Sequence, residues 1–387
     1  MEYIALNDIC DVRDGTHDSP KYVQEGFPLV TSKNVVDGKL DLSTVNYITQ
    51  EDYDKINERS KVDEGDIIMP MIGTIGNPLL IEDSCEFAIK NVALIKFSNK
   101  KICNKYIWYF LKSGAFKKYV DEKNKGGTQK FLSLGDIRGM KVPILEYSEQ
   151  ISVVEKFDAV CKVISERNEE LQLLDNLIKA RFVEMFGDPN DTKRVSDSRH
   201  KIGELCDVTK LAGFEFTEYI NYQDSGEIIM LRGLNCKQGK LVLDNVKYID
   251  RETSNKLPRS RLYVGDILMT YAGTIGDVAM VDEDDKYHLA PNVAKISIVA
   301  KDMLNPTFLV HLFMYSHDYI MTFASQVAQA SINMQKIRDF EYIIPSMEEQ
   351  IEFEQFANQV NKSKVAVQKT LEQTQTLFDS LMQKYFG

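Results

Sequence analysis

The longest regular pattern in the chain runs from Glu149 to Gly187, where apolar side chains return every seventh residue at Phe157, Ile164, Leu171, Ile178 and Met185. Val160 and Leu174 fall on the adjoining seam, which also takes Arg167 and Arg181, and no glycine or proline interrupts the run before Gly187. This heptad stripe predicts one long helix. At 1.5 Å per residue it would be roughly 58 Å long, too long for one small domain to cover, so the stripe needs an equally long partner. The run from Glu349 to Gly387 supplies one, with Val360, Val367 and Leu381 on its stripe and Leu371, Phe378 and Tyr385 beside it. Phe157, Ile164, Leu171 and Ile178 on one helix, and Val360, Val367, Leu371 and Phe378 on the other, are the candidate partner-binding positions. Elsewhere, short β-rich runs at Pro28 to Thr31, Asp66 to Met71 and Val92 to Phe97 predict strands. The aromatic-rich runs Lys105 to Lys118 and Pro306 to Thr322 predict helices.

The two long segments belong to a larger repeat. Glu149-Gln150-Ile151 and Phe186-Gly187 return 200 residues later as Glu349-Gln350-Ile351 and Phe386-Gly387. Leu29 to Leu40 recurs as Met230 to Leu241. Gly65-Asp66-Ile67 with Gly73-Thr74-Ile75-Gly76 recurs as Gly265-Asp266-Ile267 with Gly273-Thr274-Ile275-Gly276. Asn91-Val92-Ala93 returns as Asn292-Val293-Ala294, and Ile137-Arg138 as Ile337-Arg338. The chain therefore reads as a tandem duplication of class α+β: a mixed globular domain (1–145), a long helix (146–187), a linker (188–199), a second globular domain (200–345) and a second long helix (346–387). A two-fold relation between the copies would make the helices an antiparallel coiled coil with the globular domains at opposite ends of a rod.

The net charge of −11 argues at first against nucleic acid, which wants a positive surface. Its distribution weakens that objection. Residues 1–145 carry 20 basic and 21 acidic side chains, and residues 200–345 carry 15 and 19, while the helices and linker carry 12 and 18. A nearly neutral domain can still present one basic face. No apolar run approaches 18 residues, and the start lacks a basic region followed by an apolar one, so neither a membrane span nor a signal peptide is expected and a cytoplasmic location is. The six cysteines form no C-x-x-C and the five histidines are scattered singly, a pattern of reduced thiols with no metal site.

Catalytic constellations are few. The sequence contains no P-loop, no G-x-G-x-x-G, no H-E-x-x-H and no nucleophile elbow. Asn305-Pro306-Thr307-Phe308 glances at an amino-methyltransferase motif but differs at its third position, and its twin Asn104 favours a helix start. Asp282 to Asp285 reads as a solvated turn ahead of a metal site, since the first copy has only Glu82-Asp83 there. The Gly-Thr-Ile-Gly loops read as demanding turns between strands that also bring backbone close to another surface. Ten lysines between Lys96 and Lys130 are interleaved with aromatics, and alone they describe a solvated helix face over an aromatic core.

Taken together, G-D-I-[IL]-M, G-T-I-G, a polar loop, L-x-x-I-R (Met334 replacing the leucine in the second copy), proline, E-Q-I and a long helix ending in F-G, occurring twice, resemble the specificity subunits of type I restriction-modification systems over essentially the whole chain. Tyr147-Ser148 departs from a more usual proline-rich approach to Glu149-Gln150, and the second copy is less basic. The resemblance implies two target-recognition domains reading the halves of a bipartite, asymmetric site in double-stranded DNA, with the helices acting as a ruler. Roughly 50 to 60 Å of rod corresponds to about 15 to 17 base pairs. It also implies a non-catalytic chain without cofactors of its own. Two methyltransferase subunits would carry S-adenosylmethionine, and a restriction/translocase subunit would use ATP and Mg. Candidate DNA contacts are Thr31, Ser32, Lys33, Thr74, Lys125, Thr128, Gln129 and Lys130 in the first copy, and Arg232, Thr274, Gln329, Ser331 and Asn333 in the second. The competing class is a two-lobed coiled-coil scaffold for protein partners, supported by the modest basic charge.

Overall fold

A computed structural model describes residues 2–36, 38–72, 75–83, 86–124, 131–191, 199–325 and 330–387. The chain forms two compact units, one of Met1–Glu169 with Gln368–Gly387, the other of Glu170–Val367. Each unit thus holds one globular lobe and half of each long helix.

The lobes repeat one topology. In the first, a four-stranded antiparallel sheet has the order Asp11–Asp14, Val92–Lys96, Ile67–Pro70, Leu79–Leu80. In the second the order is Cys206–Lys210, Val293–Ile298, Ile267–Thr270, Val278–Met280. A three-stranded sheet follows suit, with Phe27–Val30 between Asn46–Ile48 (antiparallel) and Ala88–Ile89 (parallel), matched by Ile228–Leu231 between Lys247–Ile249 and Tyr287–Leu289. A two-stranded ribbon closes each lobe, Glu2–Ala5 with Lys141–Ile144 and Arg199–Lys201 with Glu341–Ile343. The middle strands are buried on both faces, as their unbroken apolar sequences Val-Ala-Leu-Ile and Ile-Ile-Met require.

The repeated motifs are largely scaffold. Gly65 and Gly265 sit at φ +85° and +87°, in the left-handed region that glycine tolerates, and donate to the carbonyls of Ile81 and Val281. The next residue, Asp66 or Asp266, accepts a backbone N–H three residues upstream, from Asp63 at 2.8 Å and from Tyr263 at 2.9 Å. Arg138 donates through Nε and Nη2 to the Val12 carbonyl at 3.0 and 2.8 Å, and Arg338 reaches the matching carbonyl of Val208.

Each aromatic helical run, expected as one helix, is two. Asn104–Phe110 and Gly114–Lys123 part at Ser113, whose hydroxyl caps the Phe116 N–H, and Pro306–Tyr315 and His317–Met321 part at Ser316. The basic stretch is likewise partly structural. Lys96 pairs with Asp63 and Asp66, Lys105 with Asp158 and Lys123 with Asp136, while Lys112 lies 3.8 Å from the Trp108 ring centroid. These four lysines serve packing and ion pairs.

The long helices span Tyr147–Phe186 and Met347–Phe386, each beginning two residues ahead of its Glu-Gln-Ile. Gln150 and Gln350, both fully buried, explain that motif. Gln150 accepts from the Cys103 N–H at 2.9 Å and donates to the carbonyls of Lys101 and Leu145. Gln350 repeats the set with the Asn305 N–H and the carbonyls of Met303 and Pro345. One amide therefore fastens each helix start to its lobe with three bonds.

In the second unit Asp175 meets Lys364 while Arg181 meets Glu352 at 2.7 Å, so the helices run antiparallel. Phe182, fully buried, lies 5.3 Å from Phe353 and 5.6 Å from Phe308, and Ile178 and Val360 join the same core. In the first unit Phe157 lies 5.5 Å from Phe378 and 5.9 Å from Phe386. Ile164, Leu171, Val367 and Leu371 are half-buried. Phe157, Ile178, Val360 and Phe378 are thus engaged inside the chain, and a second protein gripping the helices must use their outer faces.

Candidate nucleic-acid interface

Strand register brings the loops that differ between the copies to one edge of each lobe. Asp14 pairs with Ala93 and Val92 with Pro70, so the end of Asp11–Asp14, the start of Val92–Lys96 and the end of Ile67–Pro70 coincide. Val30 pairs in parallel with Ile89, adding the ends of two further strands. The chain beyond Met71 bridges from Ile72 to Phe131. The second lobe repeats the edge with Lys210 opposite Ala294, Thr270 opposite Val293, Leu231 opposite Leu289 and a bridge from Ala272 to Ser331. We call this edge the rim.

Most of the described candidates lie there, although several are committed to holding the turns. Thr31 opens the turn Ser32–Asn34, its hydroxyl donating to Asn34 Oδ1 at 3.0 Å, and Asn34 Nδ2 donates to the Asp41 carbonyl. Arg232 opens the matching turn Gly233–Asn235, and its guanidinium donates to the Asn245 carbonyl. Both side chains therefore stabilise the rim from within, whereas half-buried Ser32 and exposed Lys33 make no side-chain hydrogen bond among the described residues. Thr274 is exposed, and its carbonyl accepts from the Thr270 hydroxyl, which pins the loop. Gly276, at φ +89°, leaves only 3.0 Å between an added Cβ and His317 Nδ1, so its conformation favours glycine and a side chain there would also crowd the His317 ring. Ser331 is half-buried and its N–H donates to Ser325 Oγ at 3.0 Å. Asn333 lies past the rim and caps the helix Met334–Arg338 through the Lys336 N–H. Thr74, Lys125, Thr128, Gln129, Lys130 and Gln329 lie outside the described residues.

Sequence reasoning missed a second group at the rim. In the first lobe His17 sits between Asp14 Oδ2 and Asn91 Oδ1, both at 2.9 Å, and Arg59 also pairs with the buried Asp14. Asp14, His17 and Arg59 border a cleft of about 470 Å³ between the loop at 15–20 and the helix Gln50–Ser60. The His17 pKa is raised, first by its bond to Asn91 and then by Asp14. In the second lobe Lys210 lies over the Tyr271 ring, and the short helix Gly213–Tyr219 carries exposed Phe214. A lone histidine in a sequence gives no sign of two oxygens closing on its ring from positions 3 and 74 residues away.

Among the described residues neither unit gathers a catalytic set. Asn305 caps its helix through Oδ1 and donates to Glu354, which accounts for its motif-like context. Asp282, Glu283 and Asp285 pair with Tyr287, Lys286 and Arg261, and no group of metal-ligating side chains occurs among the described residues. The five described cysteines are free thiols. Two homologous lobes that present loop rims on a shared scaffold define a tandem recognition module. A family model for the type I restriction modification DNA specificity domain matches residues 1–174 and again 199–374, and the chain belongs to that family, whose domain is one of DNA specificity and not of catalysis. The type I restriction enzyme EcoBI specificity subunit of Escherichia coli is 23% identical over 94% of this chain and 80% of that protein. The S subunit of a type I restriction-modification system from M. genitalium matches the fold at a TM-score of 0.54 with 12% identity, covering 100% of this chain and 96% of that one. A chain solved in work on complex assembly and conformational transition of the type I R-M system matches at 0.60 with 16% identity, covering 100% and 97%.

Proposed function

We propose that the chain gives a type I restriction-modification complex its target sequence, each rim reading one half of an asymmetric, bipartite site in duplex DNA. The reading rests on one observation: two lobes of identical strand order hold different side chains at the same edge, His17 and Asp14 facing Asn91 in one, Lys210 and Tyr271 near Asn292 in the other. Equal scaffolds with unequal rims suit two different half-sites. The paired helices set the gap between the half-sites and dock two methyltransferase subunits, and a restriction/translocase subunit joins the assembly. S-adenosylmethionine, ATP and Mg then belong to those partners, in the cytoplasm. Exposed Leu173, Leu177 and Val365 on the second unit's helix segments support docking, because apolar side chains left outside the seam suit a protein partner. No described helix is long and apolar enough to cross a membrane.

Exchange of residues 200–345 for the corresponding segment of a relative tests the reading. The methylated motif should change in one half only, and a change in both halves refutes independent modules. A protein scaffold, by contrast, would give an assembled complex whose DNA binding has no steep salt dependence.

A further inference from the structure

Asn91 and Asn292 occupy the same place in the two lobes. Each adopts a left-handed conformation, at φ 55° and 68°, and leads directly into a central strand, Val92–Lys96 or Val293–Ile298. The turn by itself accounts for an asparagine at each position, because asparagine tolerates this region better than other side chains. It does not account for the different fates of the two amides. Asn91 is half-buried, and its Oδ1 accepts from His17 Nδ1 at 2.9 Å, while the opposite ring nitrogen donates to Asp14. Two oxygens facing one imidazole suit the ring with both nitrogens protonated. In the second lobe Lys210 stands at the register position of Asp14, no histidine approaches, and exposed Asn292 makes no side-chain hydrogen bond among the described residues.

Base edges in the major groove distinguish these two states. A free asparagine amide offers an acceptor and a donor side by side, the complement of adenine N6–H and N7. An amide whose oxygen already accepts one strong bond keeps a single lone pair beside its NH2 group, so its donors dominate, the complement of an acceptor edge such as guanine O6/N7 or thymine O4. Resting on the reading that the rims face DNA, we propose that Asn91 and Asn292 are specificity-determining residues of opposite preference: Asn292 selects adenine in its half-site, and Asn91, held by His17, selects an acceptor edge in the other. His17 is then a positioning residue that acts on DNA through Asn91.

The test uses the assembled complex with its methyltransferase partners and duplexes carrying the mapped bipartite site, altered one base pair at a time. Asn292→Gly keeps the left-handed turn and removes the amide. It should leave the thermal midpoint unchanged, lower affinity for the intact site roughly 5- to 150-fold and abolish discrimination at one A·T pair of the second half-site only. Asn292→Asp, which keeps an acceptor and loses the donor, should shift that position toward cytosine. His17→Ala should admit adenine at one position of the first half-site. Wild-type discrimination at every base pair in Asn292→Gly, or a uniform loss of affinity with discrimination intact, overturns the inference while the DNA reading stands. Absence of any sequence preference in the wild-type complex overturns both.

Discussion

Replacement of Gln350 by leucine removes the amide that joins the second long helix to its lobe. The side chain is fully buried and makes three bonds of 2.8 to 2.9 Å, accepting from the Asn305 N–H and donating to the carbonyls of Met303 and Pro345. Leucine matches its volume closely enough that no cavity opens, so the loss is one of hydrogen bonding. At about 1 kcal/mol net for each bond the variant should lose about 3 kcal/mol. A cooperative unit the size of Glu170–Val367 shifts about 2 to 4 °C per kcal/mol, which predicts a fall of roughly 6 to 12 °C in thermal midpoint. Differential scanning calorimetry of the whole chain measures it. Gln150→Leu is the internal control, because its three bonds have the same donors and acceptors in the other unit. The two variants share no partner, so their effects should add. A shift below about 2 °C for either variant would refute the claim that this amide fastens helix to lobe.

Gly276→Ala should cost more than Gly273→Ala: both residues have positive φ, yet only the first sets its Cβ against the His317 ring, and comparison of their midpoints separates strain from crowding. His17 has its pKa raised above the ordinary 6.5 by Asn91 and Asp14, against the opposing charge of Arg59, so its contribution to stability is full below about pH 6.5 and fades as pH rises through the raised value. The side chain is 65% exposed, which keeps the effect small, and His17→Ala should flatten that pH slope of stability, whereas an unchanged slope would remove His17 as its source. Leu177→Glu and Val365→Glu should leave folding intact and weaken assembly with methyltransferase subunits in a pull-down, and full assembly would place docking elsewhere. One added helical turn near Glu170 should change the tolerated gap between half-sites in a methylation assay, and an unchanged gap would refute the ruler.

The duplication and the long helices were legible because the residues that repeat are those with fixed physical duties. Gly65 and Gly265 meet a conformational demand, Arg138 and Arg338 clamp a strand carbonyl, and Gln150 and Gln350 satisfy the same three groups. Such duties admit few residue types, so they mark the sequence twice. The rim was far less legible. Its chemistry sits in the positions that differ, such as Asp14 against Lys210, and its geometry depends on strand register that no local pattern reveals. The splits at Ser113 and Ser316 escaped for a related reason: each follows an aromatic run whose apolar spacing continues across the break.

The first unit closes its core with Met382 and Phe386, which pack against Tyr106, Phe110 and Phe157. During synthesis the lobe translated first must therefore wait, its aromatic surface bare, while the other lobe is made and until the second long helix emerges. Of the two lobes, the one that leaves the ribosome first is the one whose core is closed last.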